Sequence, residues 1–250
     1  MIHLRREGAG AVIEIRHDKP VNPFTRAMTR QLIERCEEVE GDDDIAGVMI
    51  WGGADRSFSV GGDFEDLARL VTREQTEQYL VEIIRSYQAV LNISKPVVTA
   101  IDHHAIGQGL QVALLGDWRI GTDRSRYSMP ELANGMPCPL GSAMLEAFFG
   151  RARMLHLVVG CKTLDADDAA RQLLINELRP HAELESAALE KLSTLCGYPA
   201  NSYRSTKSIH NGRLIRILDD VCEDAARAHG ESFSGGNTER LYERFIGHER

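Results

Sequence analysis

The stretch SFSVGGDFEDL, Ser57 to Leu67, sets two glycines between a β-prone run and the acidic start of a helix. No Gly-Lys-Ser/Thr follows it, and no G-x-G-x-x-G occurs, so the turn lacks the spacing of a phosphate loop. What it does offer is backbone. The N–H groups at a strand-to-helix junction point outward and are not used inside the helix. A second junction of this kind, AIGQGLQ around Gln108, lies further along the chain.

Working outward, the segments on either side alternate between strand and helix patterns. AVIEIRH (Ala11 to His17) alternates apolar and polar residues and reads as a strand. DKPVNPF breaks it, and Thr25 is placed to cap a helix carrying Met28, Leu32, Ile33, Cys36 and Val39 on one face. IAGVMIW (Ile45 to Trp51) is continuously apolar, as expected of a strand buried on both faces. After the glycine turn, Tyr79, Leu80, Ile83, Ile84, Tyr87 and Leu91 recur at helical spacing until Pro96, and VVTAID is a further buried strand. Gly107 and Gly109 lead into a short helix, LQVALL, and then the strand-like DWRIGT. The rhythm is that of an α/β fold. From Arg151 the pattern turns helical, around Leu164, from Ala182 to Cys196 and from Arg213 to His229, with a boundary at GYPANS, Gly197 to Ser202. This predicts a core over residues 1–196 and a helical region over 197–250.

Composition narrows the function. The 250 residues are 43% hydrophobic and carry a formal net charge of −8, which disfavours nucleic acid or an anionic membrane as the main partner. No apolar run is long enough to span a bilayer, and the N-terminus has no apolar signal core. Five scattered cysteines, none in a C-x-x-C pair, suit reduced thiols and a cytoplasmic location and offer no zinc site. His103 and His104 are adjacent, so on a strand they would point to opposite faces rather than hold a metal together.

Two backbone N–H groups converging from the two glycine turns would make an oxyanion hole, and the helix after Gly107 would add favourable potential. Each turn by itself is also an ordinary strand-to-helix connection. FSVGGDF, KPVVTAIDHHAIGQGLQVALLGDWRIGT and YSMPELANGMPCPLGSAMLEAFFG together resemble the crotonase (enoyl-CoA hydratase/isomerase) superfamily over nearly the whole chain. NPFTR, GGADRSFSVGGDF, YQAVLNISKP, YPANSYRSTK and the pair His229 and Phe233 are most similar to its carboxymethylproline synthases.

The resemblance implies a crotonase fold, a ββα-spiral core with C-terminal helices that assemble a homotrimer or hexamer. It implies that the amides of Gly62 and Gln108 hold a thioester oxygen and that Glu131, in MPEL, is catalytic. Residues matching Gln111, Tyr79 and His229 would line the substrate pocket. The loop HDKPVNPF, with Lys19 and Val21, and the backbone of Val60 and Gly62 would contact coenzyme A. Hydratases of the superfamily use two glutamates; the first matches Gln111, which cannot act as a general acid or base. The implied reaction is decarboxylation of malonyl-CoA and addition of the enolate to an amino-acid-derived imine, pyrroline-5-carboxylate, with the coenzyme A thioester as substrate and no permanently bound cofactor. The alternative is a malonyl- or methylmalonyl-thioester decarboxylase, with His229 as proton donor. Gln108, Tyr79 and His103–His104 differ from the synthases, which carry an apolar residue, a tryptophan and Gly-Tyr there.

Overall fold

Strand β1 (Ile2–Glu7) pairs antiparallel with β2 (Gly10–Ile15), and four parallel neighbours follow: β3 (Val48–Trp51), β4 (Val97–Ile101), then β6 (Trp118–Thr122) and β8 (Glu177–Arg179). Strand β5 (His104–Ile106) pairs in parallel with β7 (Arg126–Ser128) outside that sheet. Isolated bridges Phe24–Gly62, Ser59–Ala105 and Tyr127–Leu164 extend the second ladder, so each turn of the chain visits both layers. The computed structural model describes residues 1–70 and 72–232. Phe233 and the rest of the C-terminal segment lie outside the described residues.

The helices in chain order are α1 (Arg26–Gly41), α2 (Phe64–Leu67), α3 (Arg73–Asn92), α4 (Gln108–Leu114), α5 (Pro139–Phe149), α6 (Arg151–Met154), α7 (Ala166–Arg171), α8 (Leu184–Cys196), α9 (Ala200–Asp220) and α10 (Cys222–Ser232). Thr25 caps α1 by accepting from the Met28 N–H, and Thr72 with Gln75 forms a capping box on α3.

The central strands β3 and β4 are buried on both faces, which accounts for the unbroken apolar runs. Ile13, Val48, Ile50, Val97 and Ile101 join the main core with α1, α3 and α4. The intervening Val12, Met49, Trp51, Val98 and Ala100 face a second core closed by Leu184, Ala188, Leu192 and Leu195 of α8. The period-two alternation of a strand is intact; both of its faces are simply apolar.

Three expectations need correction. Leu164 is extended and bridged to Tyr127, not helical, because it completes the small ladder. The helix expected from Arg213 to His229 is divided at Val221, so Leu218 and His229 belong to different helices. His103 adopts a left-handed backbone (φ 50°) ahead of β5, so the two histidine rings stack at 6.3 Å instead of pointing apart. No helix among the described residues is long and apolar enough to cross a membrane.

Helix α9 is pinned to the sheet by a buried ion. Lys207 Nζ donates to Asp117 Oδ2 at 2.7 Å and to the Lys95 carbonyl at 2.8 Å. Asp117 Oδ2 also accepts from the Tyr203 hydroxyl and the Val97 N–H. Burial pulls the Lys207 ammonium below its usual range, and Asp117 opposes that shift. Lys207→Ala would leave Asp117 partly compensated, and denaturant unfolding should show a loss of about 3 kcal/mol.

Candidate active site

The two glycine turns meet back to back. Gly61 has φ +93°, and a Cβ there would lie 2.9 Å from the Ile106 carbonyl oxygen and 3.4 Å from the Gln108 nitrogen. A Cβ on Gly109 would lie 2.3 Å from the Ser59 carbonyl oxygen. Only glycine permits both the left-handed turn and this backbone approach.

The amides around the junction divide into two groups. Gly61 N–H donates to Ser59 Oγ (3.1 Å), Asp63 N–H to the Phe24 carbonyl (2.8 Å) and Gly107 N–H to the Ser128 carbonyl (2.9 Å). The amides of Gly62 and Gln108 have no acceptor among the described residues, and both residues line one cleft. Gln108 is the first residue of α4, so its N–H is one that the helix leaves unused. Two spared donors beside a helix N-terminus suit an oxygen that gains negative charge.

The other residues singled out in the sequence divide in the same way. Tyr79, Gln111, Glu131, His229 and Val60 line this cleft; Lys19 and Val21 do not. Lys19 Nζ pairs with Glu65 at 2.8 Å on the surface, and the Val21 carbonyl accepts from the Val60 N–H at 3.1 Å. Glu131 begins a short 3₁₀ turn, Leu132–Asn134. A Cβ on Gly107 would lie 3.2 Å from its Oε1, so the carboxyl sits over the second glycine turn. Glu131 Oε1 accepts from Gln111 Nε2 at 3.2 Å, and Oε2 is buried with no hydrogen-bond partner. Burial raises the Glu131 carboxyl above the ordinary range. On the far side, Gln111 Oε1 accepts from the Tyr87 hydroxyl at 2.8 Å.

Gln108 and Tyr79 touch each other: Tyr79 Oη lies 3.5 Å from Gln108 Oε1, and Gln108 Nε2 lies 3.5 Å from Thr29 Oγ1. Tyr79 Oη would also be 3.3 Å from a Cβ on Gly62, so its phenol flanks the first donor. His229 enters the cleft from α10; its Nδ1 faces the Ala225 carbonyl at 2.8 Å, and burial lowers its pKa. A carbonyl only accepts, so Nδ1 carries the proton and Nε2 of the neutral ring is an acceptor.

Sequence reasoning missed Tyr87 and Cys138 as cleft residues. Tyr87 was hidden among apolar residues at helical spacing. Cys138, which lies beside Glu131, is a single thiol without a motif, and burial, reinforced by the Glu131 charge, holds it protonated.

The family profile for enoyl-CoA hydratase/isomerase matches residues 6–246. The chain belongs to this family. Among curated relatives of this enoyl-CoA hydratase/isomerase family member, the carboxymethylproline synthase of Pectobacterium carotovorum subsp. carotovorum is 32% identical over 236 residues, covering 94% of each chain. The short-chain-enoyl-CoA hydratase of Clostridium acetobutylicum is 25% identical over 232 residues, covering 92% of this chain and 88% of the relative. Of solved structures, ThnE from S. clavuligerus superposes with TM-score 0.80 at 32% identity, covering 91% of this chain and all of that one. The enoyl-CoA hydratase of Bacillus halodurans shares the fold, with TM-score 0.88 at 18% identity over 98% of this chain and 99% of that one. The α/β architecture is thus the crotonase fold.

If the Gly62 and Gln108 amides bind a thioester oxygen, Gly61→Ala should lower acyl-CoA turnover about 10²-fold or more, since the added methyl group pushes the turns apart. Gln108→Ala keeps its N–H and should stay within about tenfold of wild type. Steady-state rates on proteins shown to be folded by circular dichroism check this. Equal losses would assign the role to the Gln108 side chain.

Proposed function

We propose that the protein decarboxylates a malonyl-CoA-type thioester and adds the resulting enolate to a cyclic imine, as a carboxymethylproline synthase does. The observation that carries this reading is Gln111: its amide is bonded to Tyr87 at one end and to Glu131 at the other. An amide there leaves Glu131 without a second carboxylate, so the acid–base pair that delivers water in hydration is incomplete.

Decarboxylation asks less of the site. The C–CO₂ bond breaks, CO₂ departs, and the electron pair flows into the thioester oxygen, with no proton to abstract. Amide donors at Gly62 and Gln108 stabilise that oxygen by about 3 kcal/mol each in a water-poor site. Among the described residues lining the cleft, Glu131 is the one acidic side chain, and no lysine or arginine is present. Such surroundings do not stabilise a malonyl carboxylate, and they favour its leaving as neutral CO₂. The enolate carbon then attacks the imine carbon, and the nitrogen takes the electron pair. The Glu131 carboxylate, which sits over the Gly107 turn, is the group suited to hold a protonated imine nitrogen in attack geometry. Coenzyme A binding along Val60 and the Lys19–Val21 loop, and assembly into a homotrimer or hexamer, belong to the same proposal.

A second reading, decarboxylation followed by simple protonation, is favoured by the burial that raises the Glu131 carboxyl above the ordinary range and so favours its proton-carrying form. His229 does not suit that role, because its neutral ring presents Nε2 as an acceptor.

With malonyl-CoA and pyrroline-5-carboxylate the protein should form carboxymethylproline, and crotonyl-CoA should not be hydrated appreciably. Glu131→Ala should still release CO₂ but yield acetyl-CoA at the expense of the carbon–carbon product. Product analysis by mass spectrometry checks all three outcomes. Hydration at ordinary hydratase rates would overturn the proposal, and acetyl-CoA as the sole product of wild type would select the second reading.

A further inference from the structure

A buried hydrogen-bond chain runs behind the cleft wall, and its first member has no part in the reaction just described. Tyr87 is fully buried on α3, and its hydroxyl donates to Gln111 Oε1 at 2.8 Å. Gln111 Nε2 donates to Glu131 Oε1 at 3.2 Å, while Glu131 Oε2 has no partner. We propose that Tyr87 is a positioning residue: by donating to Gln111 it holds the amide so that its NH₂ donates to Glu131 Oε1 and fixes the carboxylate over the Gly107 turn. This rests on the reading above in that it takes Glu131 as the carboxylate facing the substrate.

The physical content is which way round the amide sits. In the observed orientation the phenol donates to the amide oxygen and the amide NH₂ donates to the carboxylate, and every contact joins a donor to an acceptor. Turned end for end, the amide would set its oxygen against the Glu131 carboxylate, two acceptors 3.2 Å apart in a buried site. That arrangement is satisfied only once Glu131 takes up a proton and donates it to the amide oxygen. Amide orientation and Glu131 protonation are therefore coupled, and a phenol that donates favours the carboxylate state. Gly141 leaves room for the amide: a Cβ there would lie 3.1 Å from Gln111 Nε2.

The titratable groups that share the cleft with Glu131 are Tyr79 and Tyr87 from α3, Cys138 at the head of α5 and His229 from α10. Burial holds both phenols and the thiol protonated well past neutrality and keeps the imidazole neutral at pH 7. Burial lowers the pKa of His229, and a rate measured as the pH falls would contain that imidazole too, so the decisive readout is the carboxyl itself.

The Glu131 carboxyl infrared band, assigned by difference against Glu131→Gln, is titrated in the full-length, ligand-free protein. Tyr87→Phe removes the donor and should raise the midpoint by about one pH unit. The acid limb of carbon–carbon product formation from malonyl-CoA and pyrroline-5-carboxylate should move to higher pH by the same amount, with product formation recovering on the alkaline side. In a Gln111→Met background, Tyr87→Phe should add no further shift. An unchanged midpoint in Tyr87→Phe, or an equal shift with and without the Gln111 amide, overturns the proposal. Gln111→Met by itself should also raise the midpoint; should Tyr87→Phe not fold, a flat result there overturns it equally. If malonyl-CoA is not a substrate, the reaction proposal fails while the infrared titration still decides the role of Tyr87.

Discussion

Two peptide segments pass so close at the centre of this protein that side chains are excluded between them. A Cβ on Gly109 would meet the Ser59 carbonyl oxygen at 2.3 Å, and one on Gly61 would meet that of Ile106 at 2.9 Å. The approach is held by the bridge between Ser59 and Ala105 and by the parallel pairing of β5 with β7. It brings the amides of Gly62 and Gln108 to one cleft while those of Gly61, Asp63 and Gly107 donate to Ser59, Phe24 and Ser128. The spiral architecture, with each turn visiting both layers, is what places two distant glycine turns side by side.

Around those donors the site is short of charge. Glu131 is raised by burial, His229 is kept neutral, and Cys138 and the two tyrosines stay protonated. An oxygen that acquires negative charge here has backbone dipoles to meet it and few competing ions, the condition in which fixed donors act most strongly. The cations lie elsewhere: Arg26 and Arg30 are tied to Glu82, and Lys19 to Glu65. Position 111 completes the pattern, since its amide donates to the Glu131 carboxylate and cannot serve as a general acid or base.

The differences from the synthase pattern at positions 79 and 108 prove to be neighbours. Tyr79 and Gln108 face each other across 3.5 Å beside the Gly62 donor, and the Gln108 amide reaches Thr29 of α1. A phenol and an amide form one polar wall there, joining α3, α4 and α1. That wall borders the cleft beside the Gly62 amide.

By itself, the sequence determined those features that arise from local chemistry. Apolar runs at Val48–Trp51 and Val97–Ile101 had to be strands buried on both faces, and Thr25 had to cap α1. The glycines at 61, 62, 107 and 109 marked strand-to-helix turns, and a glutamine at 111 is neither a general acid nor a general base. Tertiary structure alone decided the remainder. Leu164 is extended because Tyr127, distant in sequence, pairs with it, and the histidines at 103 and 104 stack because a left-handed residue intervenes before β5. Tyr87 has the spacing of a core residue, and only the packing of α3 against α4 shows its hydroxyl on Gln111. Hydrogen-bond direction, burial and the unpaired oxygen of Glu131 depend on groups brought together from separate turns of the spiral, and local sequence contains no record of that proximity.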